Sequence, residues 1–392
     1  MTRQEYLERL RQALAGHLAA EELERTMAYY TRCLEEAGAV GEEALMDTWG
    51  EPEELAGELL ANLGHHRPGK KTRRWIWAGL AGVLILSAAF WVVRLRPWAP
   101  QAGSSGSSSL TESFDQVEVD LEWGTVTLRQ EEDLYRCEAD WTGTDYTINA
   151  WVEQGVLHVE GKQRGGLHLD WKENQSATVT ITVPEGAALR ELSVYTSLGD
   201  VTLTGGKAGL ETGPLTVESD LGSVTVESLS TGESDLTLEL GDLTVTGCTF
   251  QNTQIENSSG AVTVTDSQVG DLTCTLDLGD LTLERVSGKS ADWTADLGSL
   301  MVQEGTFSGG TVTCDGGEVA LSGALSGTWT VNNSLGGIAF STTVGDWGYD
   351  LTTDLGTIWV DEANQGTRAQ RQGGANQLTA TADLGDIRLT IS

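Results

Sequence analysis

The spacing of apolar residues changes along the chain and divides it into regions. Before residue 65, apolar residues recur every three or four positions, as Tyr6, Leu10 and Leu14 do, which predicts amphipathic helices. Glycines and a Gly-Glu-Pro turn at 50–52 separate these stretches, so the sequence predicts a small all-α domain of three or four helices over residues 1–66. Beyond residue 113 the period becomes two, which predicts β-strands to the end.

Residues 75–93, WIWAGLAGVLILSAAFWVV, form an uncharged segment long enough to cross a hydrocarbon core as a helix. Five Lys/Arg precede it closely and two follow, so the sequence predicts one transmembrane helix with a cytoplasmic N-terminus. A buried core helix is the alternative. The residues expected at the membrane interfaces are Trp75, Trp77, Trp91, Arg73 and Arg74. A Gly/Ser linker follows at 97–113.

The β region carries a repeated pattern of acid-Leu-Gly-x-aliphatic-x-aliphatic. Between Gly222 and Gly336 the glycines are 19 residues apart, and the outer steps are 23, 20 and 29 residues. A fixed period near 20 residues is typical of a solenoid. The aligned glycines are Gly199, Gly222, Gly241, Gly260, Gly279, Gly298, Gly317, Gly336, Gly356 and Gly385.

Aligned columns of aliphatic residues indicate which side chains face inward. The first column holds Leu243, Val262, Leu281, Leu300, Val319 and Ile338, and an earlier strand contributes Ile255, Cys274, Trp293, Val312 and Val331. Alternation places these inside and the intervening Thr and acidic residues outside. The sequence therefore predicts a large parallel β-helix rather than a propeller, whose blades need about 40 residues each, or a sandwich.

The two ends of this region are less regular than its middle. Residues 114–196 are predicted to form an irregular cap and the first coils, and 197–392 the repeats. The final strand, DIRLTIS, has no evident cap after it. It is expected to form an exposed edge available for self-association, with Arg388 as a charged residue that limits pairing.

The chain has a net charge of −34, and residues 101–392 carry 12 Lys/Arg against 44 Asp/Glu. Nucleic acid is excluded as a direct partner of this region because phosphate binding needs a basic surface. Carboxylates stacked along one edge suggest weak calcium candidates, and turn capping by the same residues is the alternative. The candidates are Asp220, Asp242, Asp277, Asp280 and Asp296.

Other chemistry has little support in the sequence. Acids recur in nearly every coil, so no pair stands out for glycoside hydrolysis, and we expect no catalytic residue and no cofactor. His158 and His168 lack a third metal ligand, and Cys274 and Cys314 fall in apolar columns that favour core packing. Five tryptophans near the two ends of the region fit either binding or packing: Trp141, Trp151, Trp171, Trp347 and Trp359.

Two segments resemble known bacterial families. Residues 3–63, with QEYLERLRQAL, EELERTMAYY and DTWGEPEELAGEL, resemble the HAAS-type helical signalling domain. That resemblance implies a cytoplasmic protein partner, in particular a PadR-type transcription regulator. Residues 114–392, with ATVTITVPEGAALRELSVYTSLGDVTL and the later LGD copies, resemble the bacterial putative-adhesin domain family, which implies a β-solenoid without assigned activity.

Together these features predict a non-enzymatic, single-pass protein of the bacterial cell membrane with its C-terminal β-helix outside the cytoplasm. The first functional hypothesis is envelope sensing and signalling through a transcription regulator. The second is surface adhesion or glycan binding. The third is a polysaccharide-active enzyme.

Overall fold

The computed structural model describes residues 3–14, 52, 105–131, 134–142, 146–163 and 176–392. The chain divides into two compact units, residues 1–100 and residues 101–392. In the first unit, helix α1 spans Arg3–Leu14, and its Tyr6 and Leu10 side chains are buried. The later predicted helices and the predicted transmembrane segment 75–93 lie outside the described residues. Within the described residues, no helix has both the length and the apolar character needed to cross a membrane.

The described residues of the second unit form 29 β-strands. The strands at its N-terminal end are β1 Ser105–Leu110, β2 Gln116–Leu121, β3 Thr125–Gln130, β4 Arg136–Thr142, β5 Tyr146–Glu153, β6 Val156–Gln163, β7 Ser176–Val183 and β8 Ala188–Leu189. The central strands are β9 Glu191–Leu198, β10 Val201–Thr204, β11 Leu210–Thr212, β12 Leu215–Leu221, β13 Val224–Glu227, β14 Leu229–Leu240, β15 Leu243–Thr246, β16 Thr249–Ser259, β17 Val262–Thr265, β18 Gln268–Leu278, β19 Leu281–Glu284, β20 Ser290–Leu297, β21 Leu300–Gly316 and β22 Val319–Leu335. The last strands are β23 Ile338–Thr342, β24 Trp347–Leu355, β25 Ile358–Val360, β26 Ala363–Gly366, β27 Arg368–Arg371, β28 Asn376–Leu384 and β29 Ile387–Ile391.

The central strands form a parallel β-solenoid, as the 19-residue period predicts. Each coil adds one segment to each of three parallel ladders, so a coil has three sides. Cys274 pairs with Trp293 in the first ladder and Leu281 with Leu300 in the second, both 19 residues apart. The third ladder is short, runs from β8 to the middle of β22, and includes the bridge from Gln268 to Ser287. The sequence predicts the first two sides and gives no clear sign of the third.

The predicted inward columns form one continuous core. The column through Ile255, Cys274 and Trp293 is buried throughout, as is the column through Leu243, Leu281 and Ile338. Each coil alone cannot enclose these side chains, so their burial depends on the coils stacked on either side. The packing interpretation of Cys274 and Cys314 is therefore confirmed, since both are at most 1% exposed.

The repeated glycines stack into a ladder at one corner of the solenoid. Most adopt a positive φ, for example 152° at Gly279, a conformation that side-chain-bearing residues rarely adopt. A Cβ added to Gly279 would overlap the carbonyl oxygen of Gly260 in the preceding coil. The same overlap with a neighbouring glycine carbonyl recurs at every rung of this glycine ladder after the first, Gly124, so these rungs exclude a side chain. In spatial order its members are Gly124, Gly199, Gly222, Gly241, Gly260, Gly279, Gly298, Gly317, Gly336, Gly385 and Gly356.

The C-terminal coils are not stacked in sequence order. Strand β28 lies between β22 and β24, and β29 lies between β23 and β25. The final segment of the chain is thus inserted between two coils that precede it in sequence. The expectation that the last strand forms an exposed edge is wrong, because β29 is hydrogen-bonded on both sides. Arg388 is accordingly flanked by Ala339 and Trp359.

The N-terminal coils show the same interleaving. Strand β2 lies between β6 and β9, and β3 lies between β7 and β10. Gly124, in the turn between β2 and β3, supplies a ladder glycine ahead of the ten recognised from the sequence. The sequence feature that indicated it was the Glu-Trp-Gly-Thr-Val-Thr-Leu run at 122–128, which repeats the motif with tryptophan in place of leucine.

Antiparallel strands cover both ends of the stack. At the N-terminal end, β5 pairs with β6, β4 pairs with β7, and β1 pairs with β4. At the C-terminal end, β27 pairs with β24 and β26 pairs with β25. These strands satisfy backbone groups that the outermost parallel coils would otherwise leave open, which is how solenoids avoid edge-to-edge association.

The glycine ladder predicts a large cost for a single added methyl group. Gly279→Ala should destabilise the protein by about 2–6 kcal/mol, because it forces an unfavourable φ and a backbone overlap. Gly232→Ala is the matched control, since a Cβ there meets nothing within 4 Å. Urea unfolding followed by circular dichroism measures both variants. Equal midpoints for the two would show that the ladder does not depend on glycine.

The interleaved C-terminal order predicts which cysteine pairs can cross-link. Ala339→Cys with Arg388→Cys places two cysteines on hydrogen-bonded neighbours, within the Cα separation that a disulfide needs. Ala339→Cys with Trp359→Cys places them two strands apart, which is too far. Mild oxidation followed by peptide mass spectrometry should therefore detect only the first disulfide. A solenoid stacked in sequence order would give the opposite result.

Candidate functional site

A row of leucines runs along the solenoid beside the glycine ladder. Each residue of this leucine row directly precedes a ladder glycine. In spatial order the row is Leu198, Leu221, Leu240, Ser259, Leu278, Leu297, Gly316, Leu335, Leu384 and Leu355. Seven of these leucines are 44–69% exposed. Among the described residues, the only other exposed large hydrophobic side chain is Met301, at 38%.

The outward position of these leucines arises from the corner that the glycines create. In β20, Trp293 and Ala295 face the core, and strict alternation would send Leu297 inward as well. Instead Asp296 and Leu297 are both exposed, because the chain turns into Gly298 at this point. The sequence interpretation missed this row. The sequence feature that could have revealed the row is a leucine that recurs between an acid and a glycine, at a turn where a polar residue is usual.

Contacts between neighbouring leucines stabilise the row slightly but do not explain why its side chains are exposed to solvent. Leu278 is in register with Leu297, and Leu335 with Leu384, at the strand spacing of about 4.8 Å. Cross-strand apolar pairs of this kind contribute about 0.2–1 kcal/mol each. The remaining exposed apolar surface extends over runs of two or three coils, and repeated apolar exposure of this kind is typical of an interaction site.

One side of the leucine row is bordered by the residues that follow the glycines, here named the downstream row. Acids alternate with uncharged residues along it, in the spatial order Asp200, Ser223, Asp242, Ala261, Asp280, Ser299, Glu318, Gly337, Asp386 and Thr357. Asp242 Oδ1 accepts the backbone N–H of Ala261 at 2.8 Å, and Asp280 Oδ1 accepts that of Ser299 at 2.7 Å. The alternation lets a carboxylate accept an amide of the next coil and avoids like charges on adjacent strands.

The other side is bordered by the upstream row, the residues that precede the leucines. This row contains Asp220, Glu239, Asp277, Asp296, Asp315, Asp383 and Asp354 together with three serines. Neither row contains Lys or Arg, so the leucines lie between two lines of negative charge. Burial raises the pKa of nearby Glu218, and repulsion from Asp220, Asp235 and Glu239 raises it further. The leucine row therefore lies in a strongly negative potential.

The calcium candidates divide between these two rows. Asp242 and Asp280 belong to the downstream row and each commits an oxygen to a backbone amide. Asp220, Asp277 and Asp296 belong to the upstream row, where Asp220 accepts a hydrogen bond from Tyr195 at 3.2 Å. In the part of the chain that the structure describes, no group of three or more His, Cys, Asp or Glu side chains is placed to hold a metal.

The other candidate residues have separate surroundings. His158 Nδ1 lies 3.0 Å from Glu118 Oε2, and the imidazole ring stacks on Trp151 with the ring centres 5.1 Å apart. His168 and Trp171 lie outside the described residues. Burial raises the pKa of Cys274 to about 12, so this thiol stays protonated and is a poor nucleophile.

The tryptophans near the ends differ in exposure. Trp347 is fully buried and donates its indole N–H to the carbonyl of Val344 at 2.7 Å, so it packs the core. Trp141 and Trp151 are half-buried. Trp359 is half-buried and lines an open groove of about 340 Å³, with Glu362, Arg388, Leu389 and Thr390 as its other lining residues.

These features define a parallel β-solenoid with interleaved ends and an exposed leucine row between two acidic rows. The chain belongs to the Toastrack DUF4097 family, whose model matches residues 114–390. The matched segment is the one that resembles the adhesin-like β-solenoid family, and the all-β fold agrees with that resemblance.

Several solved structures are similar to this chain. A putative adhesin from Bacteroides fragilis is 12% identical, with a TM-score of 0.32 and coverage of 75% of this chain and 100% of that one. A putative lipid binding protein from Parabacteroides distasonis is 11% identical, with a TM-score of 0.35 and coverage of 74% and 97%. A putative cell adhesion protein from Clostridium sporogenes is 9% identical, with a TM-score of 0.20 and coverage of 74% and 100%. No curated protein shows significant sequence similarity to the chain.

If the leucine row serves interaction rather than folding, its leucines should be dispensable for stability. Leu297→Ala should change the free energy of unfolding by less than about 1 kcal/mol, the size of a cross-strand contact. Leu281→Ala, which removes a fully buried side chain of the adjacent coil side, should cost about 2–5 kcal/mol. Urea denaturation compares the two. A cost at Leu297 as large as that at Leu281 would assign the row to the fold.

Proposed function

We propose that this chain is a non-enzymatic, single-pass membrane protein of the bacterial cell envelope that senses a partner and signals its presence. In this proposal the β-solenoid lies outside the cytoplasm and binds the partner along the leucine row. Residues 1–66 pass the bound state to a cytoplasmic transcription regulator of the PadR type.

The observation that carries the proposal is the leucine row itself. Seven of its leucines are exposed, at turn positions where a polar residue is usual. A soluble surface normally avoids such an exposed apolar line, and its retention between charged rows favours a binding role.

The membrane and signalling parts of the proposal are supported by the sequence. The uncharged segment 75–93 and its basic N-terminal flank predict a membrane span with the N-terminus inside. The resemblance of residues 3–63 to the HAAS-type domain implies a regulator partner. The amphipathic helix α1, with Tyr6 and Leu10 buried, suits a small helical module.

The non-enzymatic part is supported by how the titratable groups are used. The carboxylates beside the leucine row recur coil after coil, and repetition of this kind is explained by construction of the solenoid. Several of the downstream carboxylates cap backbone amides. Two buried thiols, Cys137 and Cys274, have a pKa raised to about 12 by burial, which opposes nucleophilic chemistry.

Glycan binding at the C-terminal end is the second candidate function. The groove beside Trp359 offers an aromatic surface, and Arg388 and Glu362 supply polar groups of both charges. Arg388 is already paired with Asp386, whose Oδ2 lies 3.0 Å from its Nη2. Aromatic and polar groups combined in this way suit a sugar ring with a polar substituent.

The proposal predicts that the leucine row and residues 1–66 act in one pathway. Affinity purification of the full-length chain should recover a transcription regulator, and removal of residues 1–66 should lose it. Leu278→Asn with Leu297→Asn should change expression of that regulator's target genes while the amount of protein in the membrane fraction stays constant. RNA sequencing and quantitative blotting measure the two effects, with Met301→Asn as the control for an exposed apolar residue outside the row.

The leucine variant and the chain without residues 1–66, together with Trp359→Ala, distinguish sensing from adhesion and from catalysis. Unchanged transcripts in the leucine variant would contradict sensing through the row. Attachment to purified cell-wall glycan that survives removal of residues 1–66 and is lost in Trp359→Ala would establish the adhesive function instead. Release of soluble sugars from that glycan by the protein would overturn the non-enzymatic assignment.

A further inference from the structure

We infer that the partner of the leucine row is a cationic amphipathic α-helix that lies lengthwise along it. This inference rests on the proposed function, since it names the class of partner for the same surface. Three features of the surface support it: the spacing of the leucines, the charge on both sides, and the two interruptions in the row.

The spacing of the row fits a helix better than an extended strand. Successive leucines lie one coil apart, which is about 4.8 Å. Apolar side chains on one face of a helix recur about every 5.4 Å, whereas those on one face of a strand recur about every 6.8 Å. Over the run Leu198, Leu221 and Leu240 the helical repeat stays nearly in register, while the strand repeat shifts by about 2 Å at every step.

The negative charge on both sides of the leucine row favours a positively charged partner. Carboxylates flank the leucines on both sides, and neither row contains a Lys or Arg. A helix with a leucine-rich stripe and Lys or Arg on both margins would place its cations against these carboxylates. A second copy of the chain would bring carboxylate rows against carboxylate rows, and an anionic lipid surface would be repelled.

The interruptions add a more specific feature. Ser259 and Gly316 stand where leucines would be and divide the row into runs of three, two and three leucines. The space above Gly316 is partly filled by its neighbour, because Leu297 Cδ2 lies 3.0 Å from the place of a Cβ on Gly316. Each run of three leucines spans two coil steps, about 10 Å, which is close to two turns of a helix.

A synthetic peptide can test this inference with the full-length chain in zwitterionic nanodiscs. The probe is a Leu/Lys peptide of about 18 residues, with leucines on one helical stripe and lysines on both margins, which spans about five coil steps. A scrambled peptide of the same composition lacks the stripe, and a Leu/Glu version reverses the charge. Empty nanodiscs correct for binding to lipid. Fluorescence anisotropy gives the Kd, and circular dichroism follows the helicity of the peptide.

The probe should bind and gain helicity, and the scrambled and Leu/Glu peptides should bind much more weakly. Leu278→Asn with Leu297→Asn should weaken binding by about tenfold or more. Asp277→Asn with Asp296→Asn should weaken it by about threefold at low salt and by less as salt is raised. The controls Met301→Asn and Asp292→Asn, which change exposed residues outside the three rows, should stay within about twofold of the unchanged protein.

The possible failures separate this inference from the proposed function. If the scrambled peptide binds as well as the probe and the leucine variant loses both, the row is a binding surface but its partner need not be a helix, so only this inference fails. If the leucine variant binds the probe as tightly as the unchanged protein, the docking role of the row fails too. Dimers in mass photometry that disappear in the leucine variant would assign the row to self-association and overturn the inference.

Discussion

Close approach of backbone to backbone at the glycine ladder sets the geometry of this solenoid. From Gly199 onward, the Cα of each ladder glycine faces the carbonyl of the glycine in the neighbouring coil, and no side chain fits between them. The N–H of the rung meanwhile donates to the next coil, as Gly279 does to the carbonyl of Leu297 at 2.9 Å. The corner is therefore fixed in position and direction from coil to coil. The inward columns, the two carboxylate rows and the leucine row all take their places from this corner.

The sequence predicted the regular parts of the structure because they follow the period of two. The column through Cys274 and Trp293 is inward by simple alternation, and its 19-residue spacing indicated parallel pairing. The same rule failed at Leu297, where the glycine corner reverses the direction in which the side chain points. The interleaved ends were not predicted, since irregular steps in the repeat show that order breaks down without showing how. Trp347 and Trp359 could not be told apart, because their burial depends on which coil lies beside them.

The acidic residues beside the exposed leucines oppose association between copies of the chain. An exposed apolar line on a β surface favours aggregation, and flanking charges are the usual protection. Here the carboxylates border the line on both sides, so copies of the chain repel one another where they would otherwise adhere. The negative charge of residues 101–392 thus limits self-association through the leucine row, and it favours partners that bring positive charge.

The alternating downstream row limits how a solenoid of this kind can change length during evolution. Asp386 continues the alternation between Gly337 and Thr357, although these three residues are far from consecutive in sequence. Duplication of a single coil would set two acids, or two uncharged residues, on neighbouring strands. Interleaving at both termini also opposes additions at the ends. Insertion of coils in pairs into the central, regular part of the stack therefore preserves the amide caps of the downstream row, which insertion of a single coil would interrupt.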